Sequence, residues 1–164
     1  GMQILPPLPG SPDGDSYATG VNFDGSIIVG SSSAGLGSTF VMWRNGQPIN
    51  LGVPAGSSGG ADAVNDDGTV VVGYMQTPTG AGTAIWTPQR GTEFLTDYLL
   101  ANGLSIPTGI TLSGVYSISG DGKTFAGYAS SPQSGSIGFI ATVPSPTTLT
   151  FLGILTVFSY RRRR

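Results

Sequence analysis

The chain has 164 residues, of which 10% are charged, 27 are glycine and 12 are proline, with no cysteine and no histidine. The missing types exclude a disulfide framework, thiol chemistry, imidazole-built zinc sites and a Ser–His general base. Net charge is −2, but four of the seven basic residues are Arg161 to Arg164, so residues 1–160 hold three positive charges against nine negative and offer no basic patch for nucleic acid.

Hydrophobic residues make up 38% of the chain and fall in short runs between turn-forming stretches. That pattern suits an all-β protein better than a disordered one. Gly1-Met2-Gln3 has neither a charged n-region nor a long apolar h-region, so no secretory leader is read there. Gly1 before Met2 reads as the scar of a removed tag. Next, "PDGDS" at 12–16 resembles part of a calcium loop but lacks its closing glutamate. With Asp24, Asp66, Asp67 and Asp121, also beside glycines, Asp13 and Asp15 are read as turn residues, and no metal site is expected.

"GVNFDGSIIVGSS" at 20–32 then opens a repeat. Two relatives follow, "AVNDDGTVVVGYM" at 63–75 and "SISGDGKTFAGYA" at 117–129. Each has an Asp-Gly pair and a second glycine five residues on: Gly25 and Gly30, Gly68 and Gly73, Gly122 and Gly127. Thirteen residues further lie Trp43, Trp86 and Ile140. The first two units repeat every 43 residues, a period in the range of β-propeller blades.

Within one unit, the Asp-Gly turn predicts a tight hairpin. "SIIVG" and "TVVVG" predict β-branched strands near 26–30 and 69–73, with an equivalent at 123–127. Loops rich in Ser, Thr, Gly and Pro are expected at 31–39 and 74–83. A third strand ends at the tryptophan, and after a turn a short apolar run makes the fourth. Repeated tryptophans at blade spacing predict core layers between sheets, so Trp43, Trp86, Val29, Val72 and Ala126 are expected to be buried.

"TEFLTDYLLANGLSIP" at 92–107 is inserted before the third unit and predicts a short helix. Thr92 is its expected N-cap, Leu95, Leu99 and Leu100 its apolar face, and Asn102-Gly103 its C-cap. Glu93 and Asp97 then stand one turn apart, and paired carboxylates can hydrolyse glycosides, but the helix dipole explains Glu93 by itself. The expected architecture is three four-stranded antiparallel units, at about 5–52, 53–95 and 108–142, in a partial propeller or open stack with a helical insertion at 92–107. Three blades are too few to close a ring, so a homo-oligomer is expected.

The tail, "VPSPTTLTFLGILTVFSYRRRR" at 143–164, leaves this composition behind. Val143, Pro144, Ser145 and Pro146 form an extended segment. An apolar run at 149–160 follows, and then Arg161, Arg162, Arg163 and Arg164, which the positive-inside rule holds in the cytoplasm during export. The run is short against the roughly 20 residues that span a bilayer, so a temporary anchor is read; its Thr, Phe and Val would also suit an edge strand.

Residues 5–141 resemble the bacterial extracellular repeat proteins of the HAF family, through the repeats and through "LTDYLLANGLSIPTGITLSGVYSISGDGKTFAGYA". Ile140 stands where that family has an aromatic. The resemblance implies export, a β-rich repeat fold, no catalytic activity and no cofactor. The tail resembles a PEP-CTERM sorting signal in a planctomycete-type variant, with Ser145 in place of the usual glutamate. It implies a transient exosortase-type membrane protease as partner, membrane contact before processing, and a cell-surface or extracellular location. The alternative is a carbohydrate- or protein-binding module using loops at the blade ends.

Overall fold

The computed structural model describes residues 1–35 and 37–144. Among these, eleven strands and one helix form three antiparallel sheets in chain order. The first sheet holds β1 (Ser16–Val21), β2 (Ile27–Ala34), β3 (Gly37–Arg44) and β4 (Gln47–Asn50), and the second β5 (Ser58–Val64), β6 (Val71–Thr77), β7 (Gly80–Thr87) and β8 (Gly91–Phe94). After α1 (Leu95–Ala101), the third holds β9 (Thr111–Ile118), β10 (Thr124–Ser131) and β11 (Gly135–Thr142). Each sheet is a meander of neighbouring hairpins, as in a propeller blade. The third has three strands among the described residues, where four were expected.

The repeat motif is explained atom by atom. Gly25, Gly68 and Gly122 sit at φ +77°, +74° and +73°, a conformation that side chains resist. The second glycine answers a different demand. Each first strand carries a β-bulge, and the carbonyl of Tyr17, Gly60 or Gly114 fills the space that a Cβ on Gly30, Gly73 or Gly127 would need. At the β3–β4 turn, Asn45 (φ 52°) and Gly46 (φ 73°) take the left-handed pair of a two-residue hairpin.

The stretches read as long loops at 31–39 and 74–83 are largely strand. β2 and β3 pair from Ile27↔Arg44 to Ala34↔Gly37, and β6 and β7 from Val71↔Trp86 to Thr77↔Gly80. The serines tolerate extended chain because hydroxyls bond outward: Ser32 accepts from the Leu8 N–H (3.0 Å) and donates to the Asp15 carbonyl (3.0 Å).

Strand alternation assigns the faces. Ile27, Val29, Phe40 and Met42 of the first sheet meet Val71, Met75 and Ala84 of the second, with Trp86 half-buried at the edge. Val72 and Ile85 point the other way, onto Leu95, Leu99, Val115 and Phe125. Trp43 holds the register of Trp86, since Ile28↔Trp43 matches Val71↔Trp86. It therefore faces away from the second sheet, and the N-terminal segment covers it. Leu5 and Leu8 pack on it, and its indole N–H donates to the Pro6 carbonyl (2.8 Å). Trp43 is fully buried by a strap rather than by a sheet.

Ile140 does not share that position. The β10–β11 hairpin closes at Ser131↔Gly135, one residue wider than Thr77↔Gly80. One extra residue reverses every side chain beyond it. Ala141, opposite Phe125, takes the tryptophan site, and Ile140 emerges on the outer face at 74% exposure. Ala126 precedes that turn and keeps the register of Val72, but among the described residues no further sheet covers the outer face of the third sheet, so it is only half-buried.

The helix also departs from expectation at its start. Its N-cap is Phe94, without a side-chain bond, because Thr92 lies in β8 and its hydroxyl donates to the Gly52 carbonyl (2.6 Å). Tertiary pairing outcompetes local capping there. Asn102 and Gly103 (φ +81°) close the C-terminus as expected, with Leu104 N–H bonded to the Leu99 carbonyl (3.0 Å). Leu95 and Leu99 are buried, whereas Leu100 is half-exposed.

Candidate functional site

The bulges place an extra residue on the first strand of each sheet at matching positions, Thr19, Asp62 and Tyr116, and β9 has a second at Ser113. A bulge re-aims a side chain. The Thr19 hydroxyl crosses to the Ala61 carbonyl of the next sheet. Tyr116 stacks on Tyr128, ring centroids 5.8 Å apart. Asp62 faces a cleft of about 310 Å³ between the first two sheets. Thr19, Ser31, Ser38, Ser58, Tyr74 and Gln76 line the rest, and Ser58 and Gln76 also border an adjoining groove of about 550 Å³. Burial pushes the Asp62 carboxyl above its ordinary range.

This site suits a neutral, hydroxyl-rich ligand. A carboxylate accepts, an amide and the serine and threonine hydroxyls both donate and accept, and the half-exposed Tyr74 also lines the cleft. Asp62 is its one acidic lining residue, whereas the usual glycoside hydrolysis takes two. The pair Glu93 and Asp97 does not assemble as expected. Glu93 belongs to β8 and accepts from Arg90 at both oxygens, from Nε to Oε1 and from Nη2 to Oε2 (2.7 Å), while Asp97 belongs to α1.

The aspartates of the repeat turns are structural. Asp24 Oδ1 accepts from Ser26 N–H (2.8 Å), Asp67 Oδ1 from Thr69 N–H (2.8 Å) and hydroxyl (2.6 Å), and Asp121 Oδ1 from Lys123 N–H (3.1 Å) and the Ser119 hydroxyl (2.5 Å). These bonds hold all three carboxyls below the usual range. The same turns tie the sheets together: Asn22 Nδ2 donates to the Asp66 carbonyl (2.9 Å), Asp66 N–H to the Gly120 carbonyl (3.1 Å) and Arg44 to the Asp67 carbonyl (2.7 Å). Among the described residues, no three carboxylates converge as a metal site, and no helix is long and apolar enough to cross a membrane.

Of the sorting residues, Val143 packs on the last core and its N–H bonds the Lys123 carbonyl (2.9 Å), and Pro144 is exposed. Ser145, Pro146 and Arg161 to Arg164 lie outside the described residues. The bulge and Asp62 were missed in the sequence, although a glycine inside a β-branched run, as at Gly73, is a signal for them.

Fold and site together define a propeller-type stack of three antiparallel sheets with a polar cleft between the first two. No protein-family model matches the chain, and no curated protein does. Among solved structures, the crystal structure of TolB from Acinetobacter baumannii is similar at 14% identity and a TM-score of 0.43, with 77% of this chain aligned. The chain covers 32% of the length of that structure.

Proposed function

We propose that the chain is a non-catalytic, exported repeat protein of the cell surface or extracellular matrix, sorted by an exosortase-type membrane protease. The order of elements after the last strand carries this reading: Val143 to Pro146, the apolar run 149–160, then Arg161 to Arg164. Each arginine near an anionic leaflet contributes about 1 kcal/mol, and the short run makes a temporary anchor. The mature protein then lacks residues after about Pro146. C-terminal mass spectrometry on protein from the native host tests it. Intact chain ending at Arg164 in the extracellular fraction would refute the sorting reading.

The cleft favours a second reading, a carbohydrate-binding module, because Asp62, Tyr74 and Gln76 meet there with four hydroxyls. Titration with neutral oligosaccharides checks it: binding abolished by both Tyr74→Ala and Asp62→Ala supports it, and its absence across such ligands rejects it. The homo-oligomer belongs to the proposal too. Tyr128 and Ile140 lie exposed on the outer face of the third sheet, with Tyr116 stacked beside them, and a second copy would pack there.

A further inference from the structure

At matching bulges of the first two sheets, two side chains behave in opposite ways. The Thr19 hydroxyl donates to the Ala61 carbonyl and ties the sheets together. Asp62, set into the second sheet by the same kind of bulge, makes no hydrogen bond and no ion pair among the described residues. Burial alone raises its carboxyl, with no basic group contributing. Arg44 and Arg90 are engaged elsewhere, on the Asp67 carbonyl and on Glu93. A half-buried carboxylate without a partner costs stability, and such groups gather where a ligand supplies the missing charge. We propose that Asp62 is the ammonium-binding subsite of the cleft, and that the ligand class is an oligosaccharide of amino sugars. This inference rests on the carbohydrate reading of the cleft and narrows it.

The walls decide which source of an ammonium group fits. A lysine side chain carries a long aliphatic stem that packs along apolar surface. The cleft around Asp62 is instead lined by Thr19, Ser31, Ser38, Ser58 and Gln76. Those hydroxyls and that amide match the donors and acceptors of a sugar ring. Ser58 and Gln76 also border the adjoining groove of about 550 Å³, so the next sugar unit has room beyond the cleft. An ammonium in place of one sugar hydroxyl turns a neutral hydrogen bond to Asp62 into a charge-assisted one. Once bound, it favours the ionised carboxylate and offsets the cost of burying it. Residues 1–160, with three positive charges against nine negative, draw a cationic chain toward the molecule as well. That general attraction has to be separated from a specific contact at Asp62.

Isothermal titration of the full chain at about pH 6, where the sugar amine is charged, makes that separation. The probes are the glucose tetramer cellotetraose and the matching glucosamine tetramer of the chitosan type. They differ at one position of each ring, hydroxyl against ammonium. The glucosamine tetramer should bind about tenfold tighter or more. Asp62→Asn should bring the two affinities together. Asp13→Asn makes the same change of net charge on an exposed loop and should leave their ratio as it is. Equal affinities for the two tetramers in the wild-type chain would overturn this inference and leave the carbohydrate reading standing. A preference that survives Asp62→Asn would also overturn it, and would assign the gain to the overall negative charge. Absence of binding by both tetramers would overturn both.

Discussion

Gly30 lies directly under the carbonyl oxygen of Tyr17, which fills the volume a Cβ would need, and Gly73 and Gly127 stand in the same relation to Gly60 and Gly114. Gly73→Ala should therefore destabilise the protein by about 2–4 kcal/mol, because backbone rather than a flexible side chain must move. Gly80→Ala, with open space and ordinary φ, should change stability by less than about 0.5 kcal/mol. Urea unfolding of both variants checks the contrast. Equal effects would show that the bulge yields easily.

Trp43 is sealed by the N-terminal strap, so removing either partner should expose the other. Trp43→Ala should cost about 3–5 kcal/mol, and the half-buried Trp86→Ala less. Trp43→Phe isolates the bond to Pro6, worth about 1 kcal/mol. Deleting residues 1–8 should shift tryptophan fluorescence to the red, an effect absent in the Trp43→Phe background.

Asp24, Asp67 and Asp121 have lowered carboxyl pKa values in the folded chain. Their stabilising contribution is present above the unfolded value of about 4 and is lost as pH falls through the lowered folded values. Asp62, raised by burial, works in the opposite sense: its ionisation opposes folding increasingly as pH rises from about 4 through its raised value. Melting temperature against pH should therefore fall in acid, less steeply for Asp67→Asn. Asp62→Asn should melt higher than wild type at pH 7, and the gain should vanish below about pH 4.

Ile140, 74% exposed beside half-buried Ala126, marks the outer face where a second copy would pack. Sedimentation velocity at tens of micromolar should show a dimer, and Ile140→Asp should convert it to monomer without lowering the melting temperature of the monomer. A wild-type monomer throughout would remove the homo-oligomer from the proposal.

The turn glycines and the β-branched runs of β2 and β6 were legible in the sequence because their causes are local. A left-handed residue needs glycine, and a stiff extended run needs branched side chains, wherever the chain sits. The second glycine of each motif was visible as a repeat, but its cause, a carbonyl from the preceding strand, became visible only once the bulge was paired. For the same reason Asp62 drew no notice: an aspartate between two alanines says nothing until a bulge turns it into a cleft.

Chain chemistry by itself determined the all-β class, the period of 43 and the absence of thiol and imidazole chemistry, since composition and spacing do not depend on what packs against what. Tertiary structure decided which face each residue presents. One additional residue in the β10–β11 turn moved Ile140 into solvent and Ala141 into the tryptophan position, because side chains alternate with period two and a single insertion inverts them. It also drew Thr92 into a strand, where pairing with β7 and the bond to Gly52 replaced the cap its own neighbours would have given it.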